Sequence, residues 1–249
     1  MRTALVCALV AVLAFSLVSA ALPAAANENG QGNGGERVLS KVTFIHWKKN
    51  LPAKPPGTPG GKNKSGSCYN YIANGAKWRT QEPYAINPTN GDSLSELFVV
   101  GSNEAGVVAW EAHAGDQLGD SYVNYSASYN DDYLDGVNTV SFGYYPNSGV
   151  IAVTTVWGYF SGPPSQREIV EFDLLYNDPY FVWGNADENP SVMDLQNIAT
   201  HELGHGLGMG DLYNSECTEQ TMYGYSTEGE TKKRTPEAGD IAGITKLYS

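Results

Sequence analysis

Basic residues are scarce in this 249-residue chain. Its 15 Lys and Arg residues stand against 27 Asp and Glu residues, which gives a formal charge of −12 at pH 7. A field of that sign repels polyanions and argues against a nucleic-acid partner. With 17% charged and 41% hydrophobic residues, the composition excludes collagen-like, coiled-coil and wholly disordered chains. The length suits one sizeable globular domain or two small ones.

Long apolar runs are missing after the first residues of the chain. Near the start, Arg2 precedes an apolar run over Ala4–Val18 that is followed by small residues, the pattern of a secretory signal peptide over residues 1–26. Cleavage would follow Ala20 or Ala26. An uncleaved membrane anchor is the alternative, but the run is short of the ~20 residues that a span needs. The sequence therefore predicts a secreted, extracellular protein without a stable membrane anchor.

Cysteine is rare as well. Of the three cysteines, Cys7 falls in the predicted signal peptide, which leaves Cys68 and Cys217. An even pair in an oxidising compartment most simply predicts a disulfide. The alternative is a free Cys68 that acts as a reversible metal ligand.

Charge divides the exported chain unevenly. Residues 27–67 hold seven basic and two acidic residues, a net charge of +5, whereas residues 68–249 hold seven basic and 25 acidic residues, a net charge of −18. The first segment is rich in Gly, Pro and Asn, so most of it cannot bury a core. We expect a leader or propeptide-like segment over residues 27–75, with one strand at Val42–Trp47, and a catalytic domain over residues 76–249. The opposite charges suggest that the leader docks on the acidic body.

The sequence pattern of the globular part predicts a strand and a helix, then three strands, then two helices. The predicted strands are Lys77–Ile86, Val137–Tyr145, Val150–Phe160 and Glu168–Tyr176, and the predicted helices are residues 93–114 with an interruption near Gly101, a helix that starts at Ser191, and Pro236–Leu247. Ile169–Leu174 is expected to be an open edge strand that could pair with an extended peptide.

The chain has four histidines, and two of them frame a metal-binding motif. His201 and His205 are four residues apart, so both imidazoles of a helix could reach one ion. Gly208 can end that helix in a left-handed conformation, which lets Asp211 supply a third ligand. Three protein ligands leave one position for water, as in catalytic zinc sites, and Glu202 would act as general base on that water. The alternative is a core helix with satisfied histidines.

Several segments resemble one known family. The run His201–Asp211 resembles the extended zinc signature of the metzincin metalloproteases, in the variant with Asp in place of the third His. Thr221–Tyr225 looks like the Met-turn of that family. Glu237–Tyr248 is similar to the final helix of the matrixin branch, and Glu168–Asp173 resembles the upper-rim edge strand of that branch. The likeness covers residues 76–249.

The resemblance implies an α/β (α+β) metzincin-like zinc protease fold, with a mixed twisted sheet, an active-site helix, a Met-turn and a C-terminal helix. It implies one catalytic Zn²⁺ held by His201, His205 and Asp211, with Glu202 as the catalytic acid and base and Met222 at the base of the site. The expected activity is that of a monomeric zinc endopeptidase that hydrolyses protein or peptide substrates through a zinc-bound water. A noncatalytic zinc- or peptide-binding module is the alternative, although such a module has no use for the Glu202 carboxylate.

Two further sets of residues have weaker interpretations. Asp131, Asp132 and Asp135 could bind Ca²⁺ through carboxylate oxygens, as in proteases that the chain resembles, and a solvated acidic turn is the alternative. His46 and His113 have no partner that the sequence reveals, so both are interpreted as structural. The chain also has no clear activation motif of the matrixin kind.

Overall fold

The computed structural model describes residues 37–49 and 67–249. In these residues, the fold consists of a seven-stranded mixed sheet, a small sheet formed by the strands Trp183–Gly184 and Met193–Asp194, and three helices. The strands are β1 Leu39–Lys48, β2 Glu82–Ile86, β3 Leu118–Val123, β4 Asn138–Gly143, β5 Val150–Tyr159, β6 Glu168–Asn177, β7 Trp183–Gly184, β8 Met193–Asp194 and β9 Tyr225–Ser226. The helices are α1 Glu96–Ala114, α2 Leu195–Gly206 and α3 Ala238–Tyr248. The α/β (α+β) prediction is confirmed.

The predicted signal peptide over residues 1–26 lies outside the described residues. Within the described part of the chain, none of the helices combines the length and the apolar character that a bilayer span requires.

The strand order in the large sheet is β3-β2-β4-β6-β5-β1-β9. Strands β3, β2, β4 and β6 are mutually parallel, β5 is antiparallel to β6, β1 is antiparallel to β5, and β9 is parallel to β1. Helices α1 and α2 pack against each other, and a Cβ on Gly106 of α1 would lie 3.2 Å from the backbone of Thr200 on α2. Absence of a side chain at Gly106 therefore allows the two helices their close approach.

The expectation of an open edge strand at Ile169–Leu174 is wrong. Strand β6 pairs with β4 on one side and with β5 on the other, so it lies inside the sheet. Most of its residues are buried on both faces, which is typical of a central strand. The outer edge of β5, in turn, is covered by β1.

All three helices differ from the sequence predictions in their bounds or continuity. Helix α1 continues through Gly101, because that residue lies on the exposed face, where a Cβ would meet nothing within 4 Å. Helix α2 begins after Asp194 rather than at Ser191: the Asp194 carboxylate caps the helix by accepting from the backbone N–H of Asn197 at 2.8 Å. The guanidinium of Arg234 donates two hydrogen bonds to the same carboxylate, from Nε to Oδ1 at 2.9 Å and from Nη2 to Oδ2 at 2.6 Å.

The third helix also starts later than predicted, at Ala238 instead of Pro236. Glu237 and Asp240 form a reciprocal capping box at its first turn. The Asp240 carboxylate reaches further and accepts from the backbone N–H of Thr221 at 2.6 Å. The first turn of α3 is thereby joined to the segment that resembles a Met-turn.

The acidic turn that carries the calcium prediction lies beside β6. Asp132 and Asp135 are exposed and Asp131 is half-buried. Asp135 accepts from the N–H of Val137 at 2.9 Å, and the Glu171 carboxylate accepts from the backbone N–H of Asp135. Among the described residues, these carboxylates do not form a group of three with ligand atoms close enough to share an ion. Calcium binding stays a prediction.

Cys68 and Cys217 are joined in a disulfide, so the structure does not place Cys68 as a metal ligand. The bridge spans a sequence separation of 149 residues. It ties the segment that precedes β2 to the loop that leads toward Thr221.

Replacing both cysteines by Ser should lower the free energy of unfolding by about 4–5 kcal/mol, because the bridge restricts a very long loop in the unfolded chain. The loss is measured by urea unfolding of the double variant and the parent. Peptide mapping of the parent under nonreducing conditions checks the pairing directly, and a map without a Cys68–Cys217 cross-linked peptide contradicts it.

Asp173, in the middle of β6, is a buried carboxylate with 1% exposure. Within the described residues, its oxygens lack a well-formed hydrogen bond, and the hydroxyl of Thr139 on the neighbouring strand β4 offsets only part of the effect of burial. Burial, reinforced by the nearby carboxylates of Glu171 and Asp135, raises the pKa of Asp173 to about 8. The folded protein therefore keeps a proton that the unfolded chain, with a pKa of about 3.9, gives up.

Between about pH 4 and pH 8, the contribution of Asp173 to the free energy of unfolding should fall as the pH rises, because the folded state binds the additional proton in that window. Asp173→Asn removes this titration. We expect the stability of the variant relative to the parent to increase steadily from pH 4 to pH 8 and to level off above it. Thermal unfolding of both proteins in buffer without added calcium measures the difference, and a pH-independent difference would refute the assignment.

Candidate active site

Helix α2 carries three of the predicted functional residues into the protein interior. His201, Glu202 and His205 lie on its last two turns, and each is at most 1% exposed. The four-residue spacing puts the two imidazoles on one face of the helix, one turn apart. Side chains of this polarity are buried only where partners satisfy them, so their contacts identify the purpose of the site.

Two glycines reverse the chain after α2. Gly208 has φ +101°, and a Cβ there would lie 2.8 Å from the carbonyl oxygen of Ala76. At Gly210 a Cβ would lie 3.0 Å from the carbonyl oxygen of Tyr71. The left-handed turn and the close backbone contact bring Asp211 back to the helix that the chain has just left.

The three side chains predicted as zinc ligands lie together in the structure. Asp211 Oδ1 lies 3.3 Å from His201 Nε2 and 3.4 Å from His205 Nε2. A tetrahedral ion with bonds of about 2.0–2.1 Å has ligand atoms about 3.3–3.4 Å apart. His201 Nε2 and Asp211 Oδ1 are also buried without a hydrogen-bond partner in the described part of the chain. The donor set fits zinc.

Hydrogen bonds on the far side of each imidazole fix its orientation. His201 Nδ1 lies 2.7 Å from the carbonyl oxygen of Thr221, and His205 Nδ1 lies 2.9 Å from the carbonyl oxygen of Met209. A carbonyl can only accept, so each Nδ1 carries the proton and each Nε2 keeps its lone pair for a metal. Burial lowers the pKa of His201 to about 4, which keeps this ring neutral. Asp240 completes the support, since it holds the backbone of Thr221.

Met222 packs directly against the ligand-bearing helix. A Cβ on Gly204 would lie 2.4 Å from the sulfur of Met222 and 2.7 Å from the ring of Trp110. Gly204 lies between the two histidines in the sequence. Because it has no side chain, Met222 and Trp110 of α1 can both pack against α2 at this position. The family resemblance implies that Met222 lies at the base of the site, and the structure has it fully buried against Gly204 of α2.

The carboxylate of Glu202 has two hydrogen-bonding partners. Thr154 on β5 donates its hydroxyl to Oε2 at 2.6 Å, and His46 Nδ1 lies 2.9 Å from Oε1. Burial raises the pKa of Glu202 to about 7. Strand β5 thus holds one oxygen of the carboxylate, and β1 holds the other.

His46 was missed as a site residue by the sequence interpretation. Its ring lies 3.9 Å from the ring of His201, and Lys233 donates to its Nε2 at 3.1 Å. Burial lowers the pKa of His46, so a neutral ring that donates from Nδ1 and accepts at Nε2 satisfies both contacts. The strand was predicted, but nothing in the sequence connects it with the helix motif. His113 lies exposed in the last turn of α1.

Tyr213 is a second residue that the sequence did not single out. Its hydroxyl donates to Asp211 Oδ2 at 2.9 Å, while Oδ1 of the same carboxylate faces the two imidazoles. The hydrogen bond orients the carboxylate, as partners of metal ligands commonly do. In the sequence, only its position two residues after Asp211 indicates that Tyr213 could belong to the site.

Comparisons with known proteins give matches for the C-terminal part of the chain. Residues 157–249 match the family model of matrixin. Metalloendoproteinase 2-MMP of Arabidopsis thaliana is 36% identical over 89 residues, which cover 34% of this chain and 21% of the plant protein. Metalloendoproteinase 1-MMP of the same plant is 42% identical over 57 residues, 23% of this chain and 15% of that protein. The matched segments thus span about a fifth or less of these relatives. The C-terminal part of this chain is therefore similar to the matrixin family and to plant metalloendoproteinases.

Proposed function

We propose that this protein is a secreted zinc-dependent endopeptidase. In this proposal His201, His205 and Asp211 hold one zinc ion, and Glu202 acts as general base. The convergence of three buried ligand atoms beside a buried carboxylate carries the proposal. The similarity to plant metalloendoproteinases supports protein or peptide substrates, and the N-terminal sequence pattern supports secretion.

Glu202 is placed to move the proton during hydrolysis. Zinc, when bound, supplies a Lewis acid that polarises the scissile carbonyl and acidifies water. Thr154 holds Oε2 in place, and Oε1 takes the proton of the attacking water when His46 does not occupy it. The water oxygen bonds to the carbonyl carbon, the C–N bond breaks, and Glu202 returns the proton to the leaving amine.

The leader has a part in the proposal as well. We assign residues 27–75 to a propeptide-like segment and residues 76–249 to the catalytic domain. Ion pairs between leader and body support this assignment: Arg37 pairs with Glu168, and Lys48 lies 2.5 Å from Glu228. These pairs are partly exposed, so each contributes little to stability by itself.

A noncatalytic zinc- or peptide-binding module is the second possibility, and the position of Glu202 argues against it. A purely structural site is closed by four protein ligands, whereas among the described residues the group that holds Asp211 has three, His201, His205 and Asp211. Glu202 hydrogen-bonds to His46 and Thr154 instead of joining that group. Casein clearing by the purified protein, with and without 1,10-phenanthroline, separates the two functions. Clearing that the chelator abolishes supports the endopeptidase.

Glu202→Gln should leave zinc bound while peptide hydrolysis falls by a factor on the order of 10² or more, because the amide keeps the shape of the side chain but cannot take a proton. Zinc is measured by atomic absorption and hydrolysis with a quenched peptide, each relative to the parent. Glu216→Gln, an exposed carboxylate outside the site, is the matched control and should behave as the parent. Parental activity in Glu202→Gln would overturn the assignment of the base.

Asp211→Ala should lose zinc or bind it much more weakly, because two imidazoles alone are a poor site. Asp211→His should restore part of the binding, since a neutral imidazole is also a good zinc ligand. Zinc content after dialysis against a weak chelator ranks the parent first, Asp211→His second and Asp211→Ala last. A stoichiometric ion in Asp211→Ala would exclude this residue from the ligand set.

A further inference from the structure

Strand β1 covers the edge of the sheet that lies next to the site. It pairs antiparallel with β5 from Leu39 to Trp47, and it pairs parallel with β9 at Trp47 and Lys48. It therefore lies between two strands and uses the hydrogen-bonding groups of both. An extended peptide that added a strand to β5 at this edge would need the same backbone groups.

Two side chains of β1 point directly at the functional residues. Phe44 stacks on His205, with ring centroids 3.9 Å apart and planes inclined by 8°. His46, two residues further along the same face, lies against His201 and contacts Glu202. Alternate residues of a strand share one face, so β1 presents these two rings together.

The contacts of β1 close the site. His201, Glu202, His205 and Asp211 are all at most 2% exposed while β1 is in place. The Oε1 atom of Glu202 faces His46 instead of a water molecule. Hydrolysis requires both a path for the substrate and a free acceptor atom on the base, and β1 takes away both.

We propose that β1 is an intramolecular inhibitor that lies in the peptide-binding site in place of the substrate. The proposal rests on the endopeptidase function proposed above and names the segment that controls it. The substrate would replace β1 and run in the same direction, antiparallel to β5 and parallel to β9. Inhibition comes from Phe44 and His46, which contact the site directly. The charge attraction expected from the sequence acts near the two ends of β1, where Arg37 pairs with Glu168 and Lys48 pairs with Glu228.

The observed rate then depends on the fraction of molecules from which β1 is displaced. Weaker contacts of β1 raise that fraction, and a covalent link to β5 lowers it. The strand offers a position for each change. Phe44 and His46 face the site, whereas Thr43 faces away from it and lies with its hydroxyl oxygen 2.9 Å from that of Thr155 on β5.

The first experiment locks β1 in place through a Thr43→Cys/Thr155→Cys double variant of the full chain. Oxidation should cross-link the paired positions and slow hydrolysis of a quenched peptide roughly 10-fold or more, and mild reduction should restore it. The parent and the single Thr43→Cys variant receive the same treatment, which controls for the native disulfide. Zinc content should not differ between the locked and the reduced form.

The second experiment loosens β1 through Phe44→Ala/His46→Ala. We expect hydrolysis roughly 10-fold or more faster than in the parent, and faster extraction of zinc by 1,10-phenanthroline. Adding Glu202→Gln should abolish the gain in hydrolysis but not the gain in extraction. Ile45→Val, a conservative change on the opposite face of the strand, is the matched control and should keep the parental rates.

The two measurements separate the two proposals. Equal hydrolysis in the locked and reduced forms, with the cross-link verified by mass, overturns inhibition by β1 and leaves the endopeptidase standing. Slower zinc extraction in the locked form, with no hydrolysis in any variant, supports closure of the site by β1 and overturns the endopeptidase. Both rates changing as expected support both.

Discussion

The convergence of two imidazoles and one carboxylate in the protein interior is the constraint on which the rest of the structure depends. A buried carboxylate is costly unless cationic or hydrogen-bonding partners face it. Asp211 has such a partner in Tyr213 at Oδ2, whereas its Oδ1 faces the Nε2 lone pairs of the two rings of α2, where a metal ion would supply the positive charge. Each ring is in turn held by a backbone carbonyl. The chain reversal at Gly208 and the capping box of α3 follow from the need to hold these groups in place.

The sheet connects the site to the N-terminal part of the chain. An uncovered edge strand can pair with any extended chain, which is a hazard for most proteins and a means of substrate binding for a protease. Here the outer edge of β5 is covered by β1, and Thr154 of β5 donates to the Glu202 carboxylate. The same strand thus orients Glu202 on one face and pairs with β1 along its edge.

Sequence predictions succeed where local patterns decide the structure, and they fail where contacts between distant parts of the chain decide it. Strands β4 and β5 were predicted nearly to the residue, because their hydrophobic patterns are local. The start of α2 was misjudged because Ser191 has the local appearance of a cap, whereas Asp194 is selected by its contact with Arg234. The position of β6 inside the sheet was also missed. Its neighbours come from distant parts of the chain, and strand periodicity does not identify them.

By itself, the sequence determined the local part of the site. The spacing of His201 and His205 on a helix, with Glu202 between them, follows from helical geometry alone. Only the tertiary structure decided what these residues touch. His46 and Glu202 are 156 positions apart, and their contact depends on the register of β1 against β5. Such contacts result from packing and pairing over the whole sheet, and no local pattern encodes them.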